Sequence, residues 1–244
     1  MKALVVFPNR EALVAASILG EVAVLAVGDA EVKAASGAAS TIYRIQGDPR
    51  DLGLRIGAFL QIAKGYDAVV MPSSKAARTF GGYVAQKLGA PFLVDAISLA
   101  VEGDRIKAER YVFGNKAVAV LKAHPPVILT VAPGKFLGEP PKVEGKVVDL
   151  SPQPSAIYKT VSIEPKASGG VRLEDAEIIV SAGRGFKRKE DLALAFDLAK
   201  AMGGQVGCSR PIAADLKWLS EDHWVGLSGK KVRPKLYLAI GISG

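Results

Sequence analysis

The chain is poor in the residues that most enzymes use for covalent or metal chemistry: one cysteine and two histidines in 244 residues. A lone thiol, Cys208, excludes an internal disulfide framework, and with only His124 and His223 to join it no Cys/His metal site is expected. No apolar run approaches the ~18 uninterrupted residues that a membrane-spanning helix needs. The opening Met1-Lys2-Ala3-Leu4-Val5-Val6-Phe7 passes straight into a strand-like run without the layout of an export signal. A soluble, reducing, cytoplasmic setting is the expectation. Paired carboxylates and an activated serine are also missing, which argues against a hydrolase.

Charge is abundant and unbalanced, with 32 lysines and arginines against 24 acidic residues, a net charge of +8. Basic surfaces gain affinity for nucleic acid by releasing counterions. The densest clusters here, Lys187-Arg188-Lys189 and Lys230-Lys231-Val232-Arg233-Pro234-Lys235, lack the interleaved aromatics on which bases stack. No nucleic-acid partner is expected; an acidic protein partner or an anionic cofactor suits the charge better.

With 49% hydrophobic and 23% charged residues the chain can build two modest cores. Strand-like runs over 2–7, 21–27, 42–45 and 67–71 alternate with helical patterns over 10–19, 51–63 and 76–88. In the second of these helices Leu52, Ile56, Phe59, Leu60 and Ala63 share a face. This order implies a parallel sheet covered on both sides. Runs at 92–95, 98–101, 106–112, 117–121 and 127–131, separated by turns such as Glu102-Gly103-Asp104, predict an antiparallel continuation. Residues 1–133 thus read as an α/β domain with a mixed sheet. Residues 134–170, rich in proline, glycine and lysine, read as a linker carrying strand-like runs at 146–150 and 158–163. A second α/β unit, 171–244, has strands at 176–181, 205–208 and 236–240 and a helix over 189–202 that would bury Leu192, Phe196, Ala199 and Met202.

Each strand of the second unit runs into a loop of small or polar residues: Ser181-Ala182-Gly183-Arg184-Gly185, Gly207-Cys208-Ser209-Arg210 and Gly241-Ile242-Ser243-Gly244. Open α/β sheets bind ligands outside the carboxyl ends of their strands, so the three loops predict one crevice for a nucleotide-like ligand. The first loop is not a dinucleotide fingerprint, because Arg188 stands where G-x-G-x-x-G needs its last glycine. Arg210 leaves a strand end where a guanidinium can meet an anion, with the Ser209 hydroxyl beside it. The plainer alternative is a surface arginine in a turn before Pro211. Cys208 reads as packing, His124 as a turn residue before Pro125-Pro126, and His223 as a surface residue.

Taken together, Val180-Ser181-Ala182-Gly183-Arg184-Gly185, Val206-Gly207-Cys208-Ser209-Arg210, Val225-Gly226-Leu227-Ser228-Gly229-Lys230 and Leu236-Tyr237-Leu238-Ala239-Ile240-Gly241-Ile242-Ser243-Gly244 resemble the alpha subunit of electron transfer flavoproteins. The resemblance extends into the first domain through the run at 67–71 and the turn at Tyr111–Asn115. It implies a doubly wound FAD-binding domain, partial here, and an electron carrier rather than a substrate-transforming enzyme. It also implies an electron transfer flavoprotein beta subunit as partner, dehydrogenases as donors and a quinone reductase or another acceptor. By position, Arg210 would stabilise negative charge on the reduced flavin, with Ser209 as a neighbouring polar contact. Ser228, where the family usually has threonine, would donate toward the flavin N5 region, and Gly241, Ser243 and Gly244 would contact the ribityl-pyrophosphate portion. Leu227 replaces a usual glutamine and loses a polar contact. The family continues beyond the position of Gly244 through segments that complete the FAD site, so FAD weakly held or absent in this chain alone is the expectation. Competing expectations are a flavin-free assembly module docking a beta subunit, and a generic adenine-nucleotide-binding protein.

Overall fold

The computed structural model describes residues 1–155, 157–162, 172–226 and 228–243, and the chain divides into two compact units, Met1–Ile163 and Glu164–Gly244. The first unit begins β1 (Lys2–Val6), α1 (Arg10–Leu19), β2 (Glu21–Val27), α2 (Gly28–Ala35), β3 (Thr41–Ile45), α3 (Leu52–Ile62), β4 (Ala68–Pro72) and α4 (Lys75–Leu88). It continues through β5 (Phe92–Ala96), β6 (Ser98–Glu102), β7 (Arg105–Val112), β8 (Ala117–Ala123), β9 (Val127–Val131) and β10 (Lys146–Leu150). Seven strands in the order β10-β3-β2-β1-β4-β9-β5 form one sheet, and every pairing in it is parallel. Helices cover both faces, so the central strands are buried on both sides and read as unbroken apolar runs: Ala3 to Val6 and Val22 to Val27 are all buried. The helices start on side-chain caps. Asn9 accepts from Ala12 N at 2.8 Å, Asp51 from Leu54 N at 3.1 Å and Ser74 from Ala77 N at 3.1 Å, each satisfying an otherwise free amide.

Two parts of the sequence reading change here. The antiparallel strands are present as β6-β7-β8, but in a separate three-stranded sheet. Strands β5 and β9, expected among them, instead pair parallel at the end of the main sheet. The hairpin pair is an excursion between them. The register of β5 shifts between Leu93 and Ala96, where Asp95 takes a left-handed φ of 58° while its amide donates to Thr130 Oγ1 at 2.9 Å. The α2 helix was not foreseen in the sequence: it starts on glycine and buries only Ala35.

The proline-rich stretch after residue 133 is largely part of this unit. Its strand β10 pairs with β3 in register Lys146↔Thr41 to Leu150↔Ile45, with Arg44 Nη2 2.9 Å from Asp149 Oδ2. That guanidinium holds the Asp149 carboxyl below its ordinary pKa. Gln153 to Ser155 and Tyr158 then lie over α3. A Cβ on Gly57 would lie 2.0 Å from the Gln153 carbonyl oxygen and one on Gly53 2.1 Å from that of Tyr158, so these two glycines, one helical turn apart, permit backbone-to-backbone contact. Tyr158 packs edge-on against Tyr83 at 5.9 Å. Residues 158–162 carry no strand, and residue 163 lies outside the described residues.

A buried ion pair ties the strand ends of this unit together. The Arg55 side chain on α3 is fully buried, its Nη1 and Nη2 donate to Glu31 at 3.0 and 2.8 Å, and Nη2 also reaches Pro49 O at 3.0 Å. Its Cζ lies 4.1 Å over the Phe7 ring.

Candidate functional site

The second unit holds β11 (Ile178–Ala182), α5 (Leu192–Ala201), β12 (Gln205–Cys208) and β13 (Leu236–Ile240), with the strands in parallel order β12-β11-β13. The chain steps from β11 to β12 on one side and then crosses to β13 on the other. The order therefore reverses at β11, and ligand crevices form outside the carboxyl ends at such a point. Helix α5 covers the sheet with Leu192, Ala195 and Ala199. Phe196 and Met202, expected on that face, are not fully buried. The helix proper begins only at Leu192, after a 3-10 turn at Lys189–Asp191, and Phe196 turns to meet the His223 ring edge-on at 6.1 Å. His223 is itself half-buried, its Nδ1–H donating to Val206 O at 2.6 Å. It fastens β12 and is not the surface residue that the sequence suggested.

The three strand exits adjoin. Gly183 N donates to Ile240 O at 2.9 Å, Gly185 N to Gly241 O at 2.8 Å, and Ser209 N to Ala182 O at 2.9 Å. The first two contacts require glycine: a Cβ on Gly183 would lie 2.3 Å from Gly241 O, and one on Gly185 2.5 Å from Gly241 Cα. Gly241 takes φ 65°, open to glycine without strain. A groove of about 510 Å³ runs beside this contact, lined by Phe186, Lys187, Asp191, Leu194 and Ile240 among others.

Arg210 and the turn that bears Ser228 both meet Trp224. The Arg210 Cζ lies 5.9 Å over the indole. Trp224 bridges to Cys208 in parallel fashion, Val225 N donates to Cys208 O at 2.9 Å, and Lys230 N to Trp224 O at 2.7 Å, which closes the turn bearing Ser228. Gly229, next to Ser228, rests on the indole: its Cβ would lie 2.8 Å from Trp224 Cδ1. Arg210, Ser228, Gly241 and Ser243 are exposed, and Ser209 is half-buried. Leu227 and Gly244 lie outside the described residues. Sequence reasoning passed over Trp224, since its partner is fourteen positions away and only the pairing of residue 224 with the end of β12 joins them.

Cys208 is fully buried, and burial pushes its thiol up to about 11. Thiolates are far better nucleophiles than thiols, so a buried thiol held neutral in the core is suited to packing. An alkylating reagent at neutral pH should leave Cys208 unmodified in the native protein and label it in denaturant; rapid native labelling would contradict its burial. The raised value also carries a sign. Stability from the neutral thiol is complete below about 9 and is lost as pH rises toward about 11, a window that Cys208→Ala should remove.

Comparison with known proteins identifies the family. The family described as "Electron transfer flavoprotein domain" matches residues 8–154, and the "Electron transfer flavoprotein FAD-binding domain" matches residues 172–244. Protein FixB of Escherichia coli (strain 55989 / EAEC) is 29% identical over 241 residues, covering 94% of this chain and 77% of that protein. Protein FixB of Escherichia coli (strain K12) is 30% identical over 216 residues, covering 84% and 69% respectively. The chain belongs to the electron transfer flavoprotein family, as an alpha-type subunit. Its class is thus electron transport by a flavoprotein. No helix among the described residues is long and apolar enough to cross a membrane.

Proposed function

We propose that this chain holds FAD at the carboxyl ends of β11, β12 and β13 and, docked to an electron transfer flavoprotein beta subunit, carries electrons from dehydrogenases to a quinone reductase or another acceptor. The observation that carries the reading is the glycine contact between the first and last exits: Gly183 and Gly185 lie against Gly241 with no room for a Cβ, leaving backbone and small side chains where a pyrophosphate could approach. Three adjoining exits with an exposed guanidinium on one of them suit an anionic dinucleotide. Bound FAD would supply the redox chemistry. The protein's own part is to bind and to tune: Arg210 offers positive charge, Ser209 and Ser228 offer hydroxyl donors, and Gly241 and Ser243 offer backbone and hydroxyl contacts. Leu227 and Gly244 belong to the same two loops by sequence.

An absorbance scan of the purified chain, with and without added FAD and again after mixing with a beta subunit, tests this. A flavin band that co-elutes with protein in the mixture is the expected result, and a band in neither sample overturns the reading. Replacing Arg210 by leucine should then disfavour the reduced flavin relative to the oxidised by about 1.5–3 kcal/mol, the range for hydrogen bonds to a charged group, read as a lower reduction potential. An unchanged potential would remove Arg210 from the site.

A further inference from the structure

We propose that Trp224 is a positioning residue: its indole fixes the Arg210 guanidinium and the Ser228 turn against each other. Three observations meet on this side chain. The Arg210 Cζ stands 5.9 Å over the ring, within the range at which a guanidinium is attracted to an aromatic face. The ring is itself held, packing against the core beneath α5 and closed on its Cδ1 side by Gly229, which has no room for a side chain. The main chain of Trp224 joins the two loops, bridging to Cys208 directly before Ser209 and accepting from Lys230 N at 2.7 Å just after the Ser228 turn.

The choice of an aromatic partner has a chemical consequence. A carboxylate would hold the guanidinium more firmly but neutralise it, whereas an indole is uncharged and leaves the positive charge for an incoming anion. Trp224 therefore orders Arg210 before any ligand arrives and lowers the cost of immobilising a long side chain on binding. The same ring supports Gly229, so a change at residue 224 moves the guanidinium and the Ser228 hydroxyl together. The placement of Arg210 stands on these contacts alone; its effect on a flavin rests on the function proposed above.

The test has an arm for each. In the flavin-free chain, the Arg210 side-chain Nε–H resonance, identified by its disappearance in Arg210→Lys, should be displaced upfield by the indole ring current. Trp224→Leu should abolish the displacement and Trp224→Phe should retain part of it; should the leucine variant fail to fold, the phenylalanine variant decides. A resonance unmoved by either change overturns the inference. In the FAD-loaded protein, Trp224→Leu should lower the flavin reduction potential in the direction of Arg210→Leu, and the double variant should fall no further than Arg210→Leu alone. A potential that responds to Arg210 but not to Trp224 sinks the inference and leaves the function intact. A chain that never takes up flavin sinks the function, and the resonance still decides the placement.

Discussion

Glu31→Ala destabilises the first unit by about 3–5 kcal/mol, more than Arg55→Met does, although arginine is the more deeply buried partner. The asymmetry follows from what each change leaves behind. Without the carboxylate, a fully buried guanidinium keeps one carbonyl, Pro49 O at 3.0 Å, and the Phe7 ring; its Nε is already buried without a partner. Without the guanidinium, methionine fills much of the space, and Glu31, with its side chain 19% exposed, still accepts from Val27 N at 2.9 Å. Domains are stable by only about 5–15 kcal/mol, so the first loss is a large share of the total. Urea unfolding of the two variants checks it, and an arginine replacement as costly as the glutamate replacement would refute the account. The pair spans three strand exits, through Phe7 after β1, Val27 at the end of β2 and Pro49 after β3, so its loss should appear as local opening at that edge as well as a lower midpoint.

Gly183→Ala removes the ordered state of the second unit's crevice at a cost of about 3 kcal/mol or more. The added methyl would stand 2.3 Å from Gly241 O and 2.7 Å from Gly241 C, and these are backbone atoms with no rotamer in which to move aside. The hydrogen bonds Gly183 N to Ile240 O and Gly185 N to Gly241 O would open with it, so the exits of β11 and β13 would part beyond the ladder that joins the two strands. Hydrogen exchange at Gly183 and Gly185 reads this directly. Gly82→Ala is the control: that glycine lies in α4 with nothing within 4 Å of its would-be Cβ, so alanine there should be neutral or stabilise slightly. Protection in the second unit that survives Gly183→Ala would show that the exits are not held by this contact.

Much of the fold was legible because its signals are local. Continuous apolar runs such as Val22 to Val27 announce strands covered on both faces, and the spacing of Leu52, Ile56 and Phe59 announces a helix with one apolar face. The strand pairing was less legible. A five-residue apolar run such as Val127–Val131 fits a parallel or an antiparallel neighbour equally well, and the short turns around it favoured the wrong one. Arg55 was invisible for a related reason: periodicity puts it beside Ile56 on an apolar helix, but the carboxylate that makes its burial tolerable lies on α2, a helix too short and too glycine-led to announce itself. The three loops of the second unit could be read from composition. Trp224 could not, since its contact with Arg210 exists only once β12 and residue 224 are paired.

The strap over α3 bears on how this family could exchange parts. Gln153 and Tyr158 seat their carbonyls on Gly57 and Gly53, and β10 occupies the outer edge of β3, so these parts of the chain are mortar for the first unit. A chimera joined at the proline-rich stretch would strip an edge strand from one parent and uncover two bare glycines on a helix of the other. A splice that carries residues 1–162 as one cassette keeps both surfaces with the chain that evolved to cover them.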